Sequence, residues 1–235
     1  MGVHSLWCSV VGLAVVVTTF CCSCGEPAFP PERSPEQEAM IRLPEPRYDS
    51  DISLEQSLVQ RRSIRSYKAE PLGLQEVSQL LWSAQGVTDP RGFRTAPSAG
   101  ALYPLELYVV VGHVQGLSSG VYRYKPQEHR LLNVMDGDRR AELAQAVWGQ
   151  VWVKEGAVVF VFTAVYERTA IKYGDRGVRY VHIEVGHAAQ NLCLQATAMG
   201  LGAVTVGAFD DGQVAELLKL PAAEHPLYII PVGRK

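Results

Sequence analysis

Cysteine is scarce in the part of this sequence that can form a domain. Four of the five cysteines, Cys8, Cys21, Cys22 and Cys24, lie within the first 24 residues, and only Cys193 follows. A domain built from the remainder has no second thiol for an internal disulfide. Charge excess is missing too: 22 Lys and Arg stand against 24 Asp and Glu, a net of -2. That balance argues against a general nucleic-acid binder, which carries a basic surplus. No tandem repeat, low-complexity run, G-x-S-x-G elbow or P-loop occurs. The apolar run over residues 6–20 is too short for a comfortable membrane span. What remains is globular in character, 47% hydrophobic and 20% charged. It suits one domain of ordinary size behind an N-terminal tail.

Residues 1–24 read as a secretory signal, with Ser23-Cys24-Gly25 resembling a lipoprotein cleavage site. Three readings stay open: an exported lipoprotein, a plain signal, or a mis-assigned start or retained anchor. They correspond to a lipid-anchored or periplasmic protein, or a cytoplasmic one if the start is mis-assigned. Residues 25–50, rich in proline and charge, read as an extended linker, or as an arm lying on the domain surface. The domain is expected over residues 51–235.

Within it, residues 51–59 read as a helix with Ser53 as N-cap and Gln56 completing a capping box. Leu74, Val77, Leu80 and Leu81 lie on one helix face that Gly86 would end. Residues 105–114 alternate and are β-branched, hence a strand; residues 120–134 read as a hairpin turning at 125–128. "DRRAELAQAVWGQ" reads as a helix, and "AVVFVFTAVY" as a strand covered on both faces. Val181, Val185, Ala188, Leu192, Ala196 and Met199 repeat every three to four residues, a long helix stopped at Gly200. Gly186, Ala188 and Ala189 leave room on it for close approach of another backbone. A strand or loop, a short helix over 213–218 and a last strand complete an α+β sandwich, helices around a mostly antiparallel sheet.

Five segments could carry chemistry. "RRSIRSY" puts Arg61, Arg62 and Arg65 around Ser63. It is either a solvated basic face or a phosphate site, because planar guanidinium forks and a hydroxyl match phosphate oxygens. Arg234 and Lys235, with Gly233 allowing unusual backbone angles, could close on the same anion. Pro97, Ser98, Ala99, Gly100, Ala101 and Leu102 include residues small enough for a flat aromatic ligand to lie against backbone; Tyr103 adds a ring. Thr205, Val206, Gly207 and Ala208 follow the long helix. Their segment is not G-x-G-x-x-G and follows a helix, which disfavours a dinucleotide fold. Lys172 and Tyr173 are adjacent proton donors or acceptors. Glu184 and His187 could give two metal ligands, but no third is suggested nearby and no metal is expected. Cys193 reads as packing.

In this order, "RRSIRSY", "LLWSAQGVT", "FRTAPSAGALYPLELYVV", "KYGDRGVRYVHIEVGHAAQNL" and "MGLGAVTVGAFDD" resemble the nitroreductase-like flavin oxidoreductases. More narrowly they resemble the SagB-type dehydrogenase branch, related to azoline oxidases. The resemblance implies a nitroreductase-like sandwich as an intertwined homodimer with FMN at the subunit interface. By it, Arg61, Arg62, Ser63 and Arg65 would hold the phosphate and ribityl chain, with Arg234 and Lys235. The 97–104 segment would reach the flavin from the other subunit, and Thr205, Val206, Gly207 and Ala208 would lie beside the ring. Lys172-Tyr173 is similar to the catalytic base pair of azoline oxidases. The function implied is hydride transfer through flavin N5, to or from a small-molecule or peptide-derived substrate, with NAD(P)H as candidate donor. The competing reading is a flavin-binding or degenerate membrane-tethered scaffold without turnover.

Overall fold

The computed structural model describes residues 40–235; the signal-like segment and residues 25–39 of the linker lie outside it. Seven strands form one sheet: β1 (Met40–Arg42), β6 (Arg130–Asp136), β5 (Gly120–Lys125), β3 (Leu105–Val111), β7 (Val158–Ala164), β9 (His225–Arg234) and β8 (Leu201–Ala203), in that spatial order. Every neighbouring pair is antiparallel. A short parallel pair, β2 (Leu72–Gly73) and β4 (Val114–Gln115), stands apart.

The period of two along β3 and β7 divides the core into two layers. Leu105, Leu107, Val109 and Val111, with Val158, Phe160 and Phe162, face one layer. There they meet α2 (Leu74–Gln85) and α6 (Arg176–Ala198) through Leu80, Leu81, Val181, Ala188 and Leu192. Tyr108, Val110, Val159 and Val161 face the other. Its helices are α3 (Arg140–Ala146), α4 (Val151–Glu155) and α7 (Asp211–Leu217). All seven residues of β7 are buried, as expected of a strand covered on both faces.

Local chemistry sets the helix limits. Helix α1 (Leu54–Gln60) has the anticipated capping box, Ser53 Oγ accepting from Gln56 N–H at 3.2 Å. The apolar side chains of α1 are not buried, however: Leu54, Leu58 and Val59 are 61%, 53% and 71% exposed. The segment expected as one helix over 138–150 stops at Ala146, because Trp148 and Gly149 turn to positive φ before α4 begins. Helix α5 (Glu167–Tyr173) was not anticipated and ends at Gly174, φ 55°. At the other end, Met40–Arg42 pairs with β6 and Leu43 is buried, so this stretch of the linker lies on the domain.

Candidate functional site

Beyond α1 the chain runs along the sheet edge. Ile64 N–H donates to the Ala203 carbonyl and Lys68 N–H to the Arg234 carbonyl, each at 3.0 Å. The arginine-rich segment and the C-terminal strand are therefore neighbours through backbone. Two missing side chains permit this: a Cβ on Gly202 would lie 2.7 Å from Ile64 Cγ2, and one on Gly233 2.8 Å from Tyr67 Cγ. Gly233 takes no left-handed angle, contrary to expectation; its role is to admit the Tyr67 ring.

A cavity of about 420 Å³ opens between this edge and α6. Arg61, Arg62 and Ser63 line one side, Ala203, Val204, Thr205 and Tyr228 another. Helix α6 supplies Gly186, Ala189, Gln190, Cys193 and Thr197. Gly186 has nothing of its own chain within 4 Å of where a Cβ would sit, so it leaves the cavity wall open at this point. Cys193 is buried, and burial pushes its thiol up to about 11, which keeps it neutral.

The charge is one-sided, since the lining contains two arginines and no carboxylate. Among the described residues neither Arg61, Arg62 nor Arg65 forms an ion pair. Arg62 Nη1 donates to the carbonyls of Val59 and Arg61, at 2.8 and 2.7 Å, closing the end of α1 while the rest of its fork stays uncommitted. Such a cavity favours an anion.

Three predicted members of the cluster are not among the residues that line the cavity. Arg234 makes a two-pronged ion pair with Glu76 at 2.6 and 2.8 Å. Glu76 also accepts the Gly73 N–H at the start of α2, so its carboxylate is fixed where it draws Arg234 away. Arg65 lies over the Trp152 ring, 5.7 Å from its centroid. Lys235 is the exposed last residue. Of the 205–208 segment, Thr205 lines the cavity, while Val206 is buried and exchanges backbone hydrogen bonds with Ile229. Gly207 faces Tyr228, and the Ala208 carbonyl accepts from Gln150.

The other predicted group gathers elsewhere. Pro97, Ser98, Gly100 and Leu102 do not line the cavity of their own chain. Ala99, Gly100 and Ala101 form a 3-10 turn with Gly100 at φ 64°, and Ala101 and Tyr103 follow at 54° and 45°. Non-glycine residues in this region cost about 1–3 kcal/mol each, so the surroundings must hold the loop. Ser98 Oγ accepts the Tyr103 N–H at 2.9 Å, and Arg168 donates to the Tyr103 carbonyl at 3.1 Å. Lys172 and Tyr173, on the last turn of α5, converge on this loop. A Cβ on Gly100 would lie 3.0 Å from the Tyr173 hydroxyl and 3.1 Å from Lys172 Nζ. Two segments some seventy residues apart thus form one polar corner.

Reasoning from sequence missed three features. Tyr228 and Thr197 line the cavity but sit in patterns that read only as strand and helix. Glu184, considered as a metal ligand, is buried while His187 is exposed. Among the described residues no group of three His, Cys, Asp or Glu could hold a metal.

Residues 58–234 match the family model described as the nitroreductase family. The chain is 50% identical over 195 residues to the candidate nitroreductase MJ1384 of Methanocaldococcus jannaschii, covering 83% of this chain and 96% of that protein. It is 25% identical over 191 residues to an FMN reductase [NAD(P)H] of Bacillus subtilis, covering 75% of this chain and 64% of the other. A crystal structure of a candidate nitroreductase from Ralstonia eutropha superposes with a TM-score of 0.74 at 32% identity, covering 83% and 89% of the two chains.

Proposed function

The chain belongs to the nitroreductase family of oxidoreductases, and from that premise we propose that it is an FMN-dependent enzyme whose cavity takes the flavin phosphate. One observation carries this reading: two arginines and a serine border a cavity with no acidic side chain. A phosphate dianion needs that donor density, and a carboxylate beside it would repel it.

In this reading Arg61 and Arg62 supply the charge, with Ser63 and Thr205 as hydroxyl donors. Gly186 and Ala189 keep the α6 wall flat enough for the rest of the ligand. Bound FMN would supply hydride exchange with substrate; the protein supplies binding, orientation and proton traffic. Arg65, Arg234 and Lys235 would act from outside the cavity lining, on the edge that carries it.

The finer reading is a SagB-type dehydrogenase acting on a small-molecule or peptide-derived substrate, with NAD(P)H as the electron donor to be tested. It is supported by the Lys172-Tyr173 pair, whose tips both approach Gly100. We assign that pair to proton transfer. The 97–104 segment would complete a partner's flavin site in a homodimer, with the exposed Leu54, Leu58 and Val59 available for the interface. A lipid on Cys24 would tether the enzyme to a membrane.

The test is the absorption spectrum of the purified protein, followed by anaerobic addition of NADH or NADPH. The expected result is an oxidised-flavin spectrum that bleaches. A colourless protein that takes up no added FMN contradicts the reading; colour without turnover on nitroaromatic, quinone or azoline substrates favours the scaffold instead.

A further inference from the structure

Arg168, in the first turn of α5, has no part in the proposed chemistry, yet it grips the loop that Lys172 and Tyr173 face. Loop and helix leave neighbouring strand ends. Leu105 at the start of β3 pairs with Ala164 at the end of β7, and Val165 N–H donates to the Pro104 carbonyl at 3.0 Å. One turn further on, the Arg168 side chain crosses back to the loop. Its Nη1 donates to the Tyr103 carbonyl at 3.1 Å and its Nη2 to Glu106 Oε1 at 2.6 Å. A single planar fork thus joins the end of the loop to the strand that follows it.

Glu106 is a fixed anchor for that fork. Arg123 of β5 holds it from the other side, Nη2 to Oε1 at 3.0 Å and Nε to Oε2 at 3.3 Å. Arg123 lies in turn 3.8 Å from Glu224 Oε2, and the buried Glu224 accepts from the Thr163 hydroxyl. The loop needs such a hold, because Gly100, Ala101 and Tyr103 are all at positive φ. Every polar group of Tyr103 is engaged. Its N–H donates to Ser98 Oγ at 2.9 Å, its hydroxyl accepts the Arg94 N–H at 3.1 Å, and its carbonyl accepts from Arg168. Of these three contacts only the one from Arg168 comes from outside residues 94–103.

We propose that Arg168 is a positioning residue: braced on Glu106, it holds the Tyr103 carbonyl and so keeps the 97–103 loop and the Lys172–Tyr173 end of α5 in one register. Arg168 and Lys172 are four residues apart and share a helix face. The first grips the loop at Tyr103; the second brings Nζ to 3.1 Å from where a Gly100 Cβ would sit. Without the Arg168 contact the loop relaxes toward ordinary φ and draws away from Lys172 and Tyr173. The effect is local, since the Arg168 side chain is 39% exposed and an ion pair so placed adds little to overall stability. A lysine keeps the charge opposite Glu106, but one ammonium does not reproduce a planar fork aimed at two acceptors. The consequence for catalysis rests on the proposed function; the hold on the loop is a property of the chain with or without flavin.

The test is amide hydrogen exchange in the purified full chain, comparing wild type with Arg168→Gln and Arg168→Lys. The reporters are the Ala101, Leu102 and Tyr103 amides, which donate to the Ser98 carbonyl, the Ala99 carbonyl and Ser98 Oγ. Their exchange should quicken roughly tenfold in both variants while the amides of β3 and β7 keep their wild-type rates. Unchanged loop amides overturn the proposal, and so does a rise shared by β3 and β7, which would make Arg168 a general stabiliser. Wild-type protection in Arg168→Lys overturns it too; that variant decides alone if Arg168→Gln does not fold. Turnover gives a second readout that general stability would not move. Arg168→Gln should lower kcat roughly tenfold in the otherwise wild-type enzyme and little further in Lys172→Ala, because the effect passes through Lys172. Losses that simply multiply overturn that link. Selective loop opening in a protein that takes up no flavin leaves the positioning role standing and removes the flavin reading. A flavin-loaded, active protein whose loop amides ignore Arg168 removes the positioning role alone.

Discussion

A guanidinium serves a phosphate best when no carboxylate competes for it. Arg61 and Arg62 border the cavity without an acidic partner, whereas Arg234 is spent on Glu76. Charge-assisted hydrogen bonds contribute about 1.5–3 kcal/mol each, so Arg61→Gln should weaken FMN binding roughly 10- to 100-fold. Arg234→Gln should act mainly on thermal stability, which a melting curve beside an FMN titration will separate. Glu184 makes a second residue-scale prediction. Its carboxyl is raised in the folded chain, so the fold holds its proton longer than the unfolded chain does. Its stabilising effect is full below the ordinary carboxylate range and fades as pH rises through about 7. Glu184→Gln should therefore melt higher than wild type on the alkaline side of that value and similarly on the acid side. The arginine cluster was readable because three like charges in five residues stand out against a near-neutral chain. The partner of Arg234 was not: Glu76 lies 158 residues away, and side-chain direction on an edge strand is settled by tertiary contacts.

At the scale of elements, periodicity did most of the work. The 3.6-residue repeat from Val181 to Ala196 and the β-branched runs of β3 and β7 name the core that the fold buries. Phe160→Ala, at the centre of the sheet, should cost about 3–5 kcal/mol in urea denaturation. Gly233→Ala should also destabilise, by about 1–3 kcal/mol, since its Cβ would strike the Tyr67 ring. Strand β1 was not legible, because three residues at the end of a proline-rich stretch give no alternation to count. A histidine ties this strand's continuation down. His129 lies 3.0 Å from the Pro44 carbonyl, 2.7 Å from Ser78 Oγ and 2.8 Å from the Tyr124 hydroxyl. Burial lowers its pKa, so the neutral ring is the form the fold prefers. Stability should then fall as pH drops below the ordinary histidine value of about 6.5. The urea midpoint of His129→Gln should lose that part of the pH dependence; an unchanged slope would count against the contact.

For the whole molecule, what matters is that distant segments share edges. The Arg61–Arg65 region meets the C-terminal strand through backbone, and the 97–104 loop meets Lys172 and Tyr173. The order of motifs along the chain was the legible sign of this arrangement; the corner at Gly100 was not, since α5 was itself unanticipated. Under the proposed homodimer, the apolar side chains that α1 leaves in solvent would form part of the interface. Sedimentation should give a dimer, and Leu58→Glu should shift it toward monomer and reduce FMN uptake together. A monomeric wild type that binds FMN fully would contradict an interface site. The central claim, that the cationic cavity reads a phosphate, is tested most directly by titrating the apoprotein with FMN and with riboflavin, which differ only in that group. The account predicts far tighter binding of FMN, with the difference largely erased in the Arg61→Gln, Arg62→Gln double variant. Equal affinity of the wild type for the two flavins would contradict it.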